Sequence, residues 1–325
     1  RYFDHYGLVA LEDPDFYPDG RNLGENYTAT TWLISPCVAS GELGCMHCHT
    51  SSGRYRFQGA EANNACAPCH QDKVGQPVAH TRHEADSAGN RCISCHMPRT
   101  EFARMVRHDH SMAPPAPAAT QAFGSPNACT ICHSDKDAAW ADAHVREWRP
   151  RDYQAPLLER AGWVAAARKG DWARLPDMLA YLSRDDRNPV FAASWLRLIR
   201  GGPASEKWPA IIAALEDDAP LVRSAAAEAL DGFVTAASVD ALMKACRDEY
   251  RLVRIHAAAS LSSLPAGQLE QDDQLALQQA SAEWVASMKS RLDDYASHYH
   301  LGNYHAARGE TEPDIASYEL SLIHI

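Results

Sequence analysis

Apolar and polar positions alternate differently in three parts of this chain. Up to about residue 150 the apolar periodicity is weak, and Gly, Pro, Asn and Ser are frequent. The stretch Ala113-Pro-Pro-Ala-Pro-Ala-Ala119 reads as extended, partly polyproline backbone. From about residue 155, alanine and leucine recur at helical spacing. Three segments there align with one another: Pro189 to Ile199, Pro220 to Leu230 and Arg251 to Leu261. Their starts are 31 residues apart, twice. A further amphipathic helix is expected before two of them, over Trp208–Leu215 and Val239–Ala245. Paired helices at a fixed period predict an α-solenoid, in which one unit cannot bury its apolar face without its neighbours. An irregular helical bundle with chance similarity is the alternative. From Ser297 a third pattern begins, with Leu301-Gly302, Tyr304, Gly309, Ile315, Tyr318 and Ser321. The pattern predicts a mostly α protein: an irregular domain over 1–152, helical repeats over 153–268, and a helical linker with the start of another repeat over 269–325.

Length and charge narrow the classes. A chain of 325 residues is long enough for two or three domains. No run of eighteen apolar residues occurs, so no spanning helix is expected. The formal net charge is −11 and no basic stripe is present, which argues against nucleic acid as a partner.

The irregular region carries the chemistry. Within 89 residues it holds Cys45-Met46-His47-Cys48-His49, Cys66-Ala67-Pro68-Cys69-His70, Cys92-Ile93-Ser94-Cys95-His96 and Cys129-Thr130-Ile131-Cys132-His133. Cys-x-x-Cys-His is the attachment pattern of c-type haem. Its two thiols form thioethers with the porphyrin, and its histidine binds iron as proximal ligand. Paired Cys-x-x-Cys units can also make zinc sites, and cysteines can make a disulfide framework. Neither alternative explains a histidine directly after the second cysteine four times. The expectation is four haem c groups on Cys45, Cys48, Cys66, Cys69, Cys92, Cys95, Cys129 and Cys132, with His49, His70, His96 and His133 on iron. Covalent haem attachment implies an exported protein, periplasmic or extracellular. The chain begins at Arg1 without a signal peptide, so a processed form or a piece of something longer is expected.

The sixth iron position decides whether such a protein carries electrons or also acts on a substrate. Outside the four attachment histidines, the region offers His5, His47, His80, His83, His108, His110 and His144. His47 sits inside the first motif, too constrained for its own ring but able to reach a neighbour. His80 and His83 either share one helical face or splay to two rings. His108 and His110 flank Asp109 and would point the same way in an extended segment, so one of them is expected to bind. Met46, Met97, Met105 and Met112 are rival ligands; Met112 is the best placed and Met97 reads as packing. Cys37 and Cys246 remain, read as buried free thiols with a disulfide left open.

The Val-Arg, Ala-Ala and Leu texture over roughly 155–265 resembles HEAT-type repeats, and the pattern from Ser297 resembles a tetratricopeptide repeat. Asp314 departs from the latter, which usually has a small residue there. The whole chain resembles multihaem c-type cytochromes with C-terminal helical repeats. The most specific pieces are Asp15-Phe-Tyr-Pro-Asp-Gly-Arg-Asn-Leu-Gly-Glu-Asn-Tyr27, Cys45 to Phe57, Cys92 to Met105 and His110-Ser-Met-Ala-Pro-Pro115. Relatives of that kind share histidines matching His5, His47, His80, His83 and His110, which favours these five over His108 and His144. If haems lie further upstream in a longer chain, His5 could serve one of them.

The leading expectation is an electron-transfer cytochrome, its motifs spaced 21, 26 and 37 residues apart. Its partners would be redox proteins or other copies of itself, in an oligomer or an extracellular conductive filament. A multihaem oxidoreductase with one open iron acting on a small nitrogen or sulfur species is the first alternative. A redox-sensing repeat scaffold is the second.

Overall fold

The structure is a computed structural model, and it describes residues 1–24, 28–102, 104–203, 205–264, 269–291 and 293–323. The last residues of the Asp15 to Tyr27 segment, Ala103 within the Cys92 to Met105 segment, and the end of the chain at 324–325 lie outside the described residues. The chain divides into two compact units. One comprises Arg1–Leu8 and Trp172–Ile325, the other Val9–Asp171.

The first unit is helical throughout. Helices run over Leu175–Leu182, Pro189–Arg200, Lys207–Ala213, Pro220–Ala229, Ala236–Ala245, Arg251–Ser260, Gln271–Lys289, Tyr295–Ala307 and Thr311–Ile323. All three aligned segments therefore begin a helix at the expected residue, and both intervening helices are present. The reason is visible in the burial. Val190, Phe191, Ala192, Trp195, Leu196 and Ile199 are fully or almost fully buried, as are Leu221, Val222, Ala225, Ala226, Ala227 and Ala229. In the third copy Leu252, Val253, Ala257 and Ala258 take that role. Rows of buried alanine bring successive helices close enough for Ser260 Oγ to donate to the carbonyl of Ala227 at 2.7 Å.

An arginine recurs with the period. Arg223 pairs with both carboxylate oxygens of Asp248 at 2.7 and 3.0 Å and donates to the carbonyls of Asp217 and Asp218. Arg254, 31 residues on, pairs with Glu283 at 2.9 and 3.0 Å and donates to the carbonyls of Asp248 and Glu249. Each guanidinium ties one repeat to the next with two-point geometry that lysine could not reproduce. The N-terminal turn Tyr2–Asp4 joins this unit. The Asp4 carboxylate accepts the backbone N–H of Arg251 at 3.0 Å and so caps that helix. The Arg1 guanidinium, then the Arg251 N–H, hold the Asp4 carboxyl well below the usual carboxylate range. At the far end Gly302 faces the Tyr318 ring, and a Cβ there would come within 2.6 Å of Tyr318 Cδ1.

The second unit is organised differently. Helices cover Pro117–Phe123, Ala138–Trp148 and Ala155–Arg168, and its large buried apolar side chains belong to these or to the segment Ala10 to Phe16. Arg168 holds that segment by donating to the carbonyls of Leu11, Asp13 and Phe16. The expected extended stretch 113–119 is corrected at its end. Pro117 opens a helix, where its fixed φ and missing N–H cost nothing, and Ala118 and Ala119 are buried behind it.

Between Tyr17 and Pro115 the picture is sparse. Short helical turns are joined by loops, and one exposed antiparallel hairpin pairs Arg99–Phe102 with Met105–His108. Among the described residues of this stretch the buried apolar side chains are Ala62, Ala65 and Pro98. The described residues of this stretch thus bury little apolar side chain of their own. Among the described residues no helix is long and apolar enough to cross a membrane.

Candidate functional site

Each attachment motif begins as a single helical turn. Cys45–Cys48 and Cys92–His96 are short helices, Cys66 precedes the helix Ala67–Gly75, and Cys129 to Cys132 form a turn. In the first and fourth motifs the histidine N–H donates to the first cysteine's carbonyl, His49 to Cys45 at 3.0 Å and His133 to Cys129 at 2.9 Å. One such turn puts residues i and i+3, the two thiols, on the same face. In the first two motifs the chain then leaves the helix at the histidine: His49 is extended, and His70 breaks the helical path at φ −123°, ψ 41°, whereas His96 is the last residue of its helix.

Cys45, Cys69 and Cys132 are exposed and the other five motif cysteines half-buried, whereas Cys246 is buried. Free cysteine is normally among the most buried side chains, so eight motif cysteines of which none is fully buried are unusual. Cys37 is half-buried and Cys246 unpaired, in agreement with a free thiol at 246 and less enclosed than expected at 37. The Cys66 and Cys92 thiols hydrogen-bond each other, which pushes Cys66 up and pulls Cys92 down, and which sets the second and third motifs side by side.

Three attachment histidines each face a second histidine ring. The His49 and His110 ring centres are 6.3 Å apart with planes 28° from parallel. His96 and His80 are 6.3 Å apart and 11° from parallel. His133 and His83 are 6.0 Å apart at 47°. Direct ring packing brings centroids closer than this in many pairs. Two imidazoles bound through nitrogen on opposite sides of one metal ion, each at about 2 Å, have centres about 6 Å apart.

Hydrogen bonds fix which nitrogen is free. Nδ1 of His49 bonds the Gly53 carbonyl at 3.0 Å, Nδ1 of His83 that of Thr81 at 2.7 Å, and Nδ1 of His110 that of His108 at 2.9 Å. A backbone carbonyl accepting from Nδ1 leaves the Nε2 lone pair outward, the usual arrangement of a metal-bound imidazole. Burial pushes the pKa of His80, His96 and His110 down, at His80 with help from the Arg149 charge. These imidazoles are thus held neutral, the form that binds metal.

The remaining candidates are placed elsewhere. Nε2 of His47 is bonded to the Ala65 carbonyl at 2.8 Å, beside the second motif, and its ring is tilted against Phe57 with centres 6.1 Å apart. Nδ1 of His108 bonds the Met97 carbonyl at 2.8 Å. His144 packs between Trp140 and Trp148. His5 lies in the other compact unit, against Tyr6. His70 is exposed and, among the described residues, faces no second histidine ring.

Residues that sequence reasoning did not mark hold the frame. Asp109, between two candidate histidines, is buried and accepts from Arg21 at 2.9 Å and from the Ser111 N–H and hydroxyl at 2.8 Å each. Arg21 itself is only 5% exposed and also donates to the Pro114 carbonyl. Arg149 donates to the His80 carbonyl at 2.8 Å.

Among the described residues no group of three or more His, Cys, Asp or Glu side chains is arranged to hold a metal ion. A haem iron takes four ligands from its porphyrin and needs only the two axial positions from protein. A family model described as HEAT repeats matches residues 175–262 and, in a second overlapping match, residues 208–285. No curated protein matches the chain, and no solved structure does. Residues 175–285 thus carry HEAT repeats.

Proposed function

We propose that the unit Val9–Asp171 binds four haem c groups and that the protein is an electron carrier. The observation that carries this reading is the set of three histidine pairs, each with one attachment-motif member, at the separation a shared iron requires. The exposed or half-buried motif cysteines, and the few buried apolar side chains among the described residues between Tyr17 and Pro115, support it, because a porphyrin supplies the apolar surface such a region lacks. Haem held there supplies a one-electron iron couple. The chain's own residues do the rest. His49 with His110, His96 with His80 and His133 with His83 would hold iron, and the carbonyls at Gly53, Thr81 and His108, by accepting from Nδ1, would keep Nε2 of His49, His83 and His110 available for it. The HEAT repeats offer the extended surface on which such solenoids bind protein partners, either redox partners or further copies of the chain. Covalent haem attachment carries export with it.

A second reading, an oxidoreductase with one open iron, is favoured at one place. His70 is exposed and, among the described residues, has no second histidine facing it, while His47, bonded to the Ala65 carbonyl beside the second motif, is the candidate for that position. Low-temperature EPR of the oxidised protein tests both. Low-spin signals alone fit the carrier, and a full-occupancy high-spin signal assignable to the second motif fits the enzyme.

A further inference from the structure

The segment bearing His80 and His83 serves two motifs at once, the third through His96 and the fourth through His133. It is short, and something must stop it from turning as a unit. Asn90 is the buried hub of the only polar side-chain network touching it that also reaches two motifs among the described residues. Asn90 is 5% exposed. Its Oδ1 accepts from the Thr81 hydroxyl at 2.9 Å, and its Nδ2 donates to the Ala85 carbonyl at 3.0 Å. Its own carbonyl accepts from Asn63 Nδ2 at 3.0 Å, and Asn63 Oδ1 accepts the N–H of Cys92 at 2.9 Å. Asn63 stands three residues before Cys66, so the network spans the second and third motifs. Thr81 then passes the constraint to the histidine. Its carbonyl accepts from His83 Nδ1 at 2.7 Å, and its hydroxyl accepts the His83 N–H at 3.2 Å. Gly89, the residue before Asn90, leaves the space the ring occupies. A Cβ there would come within 2.6 Å of His83 Cγ.

We propose that Asn90 and Thr81 are positioning residues that hold His80 and His83 apart, each against a different iron, with Gly89 as the cradle for the His83 ring. This rests on the haem reading above. Both Asn90 amide atoms are committed inside the loop, so aspartate, which cannot donate to Ala85, breaks the hub while keeping its size. Thr81→Val removes both hydroxyl bonds, and Thr81→Ser retains them. Gly89→Ala acts on His83 alone.

The test is EPR and reduction potentiometry on the full-length chain. A pyridine haemochrome count on each variant and a helical circular dichroism signal serve as controls. Asn90→Asp and Thr81→Val are expected to convert up to two haems from low spin to high spin, those at the third and fourth motifs. Gly89→Ala is expected to convert one, at the fourth motif, and Thr81→Ser none. A wild-type chain without haem overturns the haem reading itself. A wild-type chain with four haems, and variants whose spectra stay wholly low-spin, overturns the positioning role alone. Should Asn90→Asp fail to fold, Gly89→Ala and the Thr81→Val and Thr81→Ser pair still decide. Equal spectra for valine and serine contradict the proposal.

Discussion

His80 and His96 face each other with ring planes 11° apart and centres 6.3 Å apart. They come from different short helices, Pro77–Thr81 and Cys92–His96, and burial keeps both neutral. Neutral imidazoles at this separation leave room for an ion between them and too much room for close stacking.

His80→Ala in the haem-loaded protein should therefore open the iron attached through Cys92 and Cys95 and leave the others closed. The expected outcome is one haem turning high-spin in EPR, with the His49 and His110 pair unaffected. Retention of a fully low-spin spectrum would remove His80 as a ligand.

His47 makes a contrasting case. Its Nε2 is already engaged by the Ala65 carbonyl next to Cys66. His47→Ala should perturb the spectrum of the haem on the second motif and not that of its own motif, as read by resonance Raman or EPR of single-motif variants. A change confined to the first motif would contradict this.

Glu228 links two repeats. It accepts from Arg197 at 2.9 Å, with His256 Nδ1 at 3.5 Å. Burial raises its carboxyl, but His256 and Arg197 outweigh that and hold it down at about 2, against an ordinary 4.5. A depressed carboxyl stabilises the fold fully above the ordinary value, and loses that contribution as pH falls from 4.5 toward 2. Glu228→Gln should cost about 1–2 kcal/mol at neutral pH, the partial exposure of the side chain being allowed for. The difference from wild type should shrink through that acid window in urea titrations. A difference independent of pH would show the charge to be unimportant.

Ala226 is fully buried between period helices. Ala226→Leu forces extra methyl groups into a packed seam and should cost about 1–3 kcal/mol in chemical denaturation of the helical unit. A neutral result would mean the repeat stack is looser than its alanine rows imply.

The repeats were legible because their signal is redundant. Pro189, Pro220 and Arg251 each start a helix, and the same buried alanines recur a period later. The attachment motifs were legible as local strings. Histidine partners were harder, because pairing depends on loops without periodicity. His110 beside His49 and His80 beside His96 are long-range encounters, and the extended-chain alternation at His108 and His110 did not say which would turn inward. The packing of Arg1–Leu8 with the repeats was not legible either. It rests on Asp4 capping the helix at Arg251, a contact between residues far apart in sequence. The burial of Arg21 against Asp109 was not legible either, since the two lie far apart in sequence.

The central claim is that eight particular cysteines carry haem. The direct measurement is a thiol titration of the purified, denatured and reduced protein beside a pyridine haemochrome assay of the same sample. Four haems per chain, with only Cys37 and Cys246 open to alkylation, is the result expected. Ten reactive thiols and no haem absorbance would contradict it.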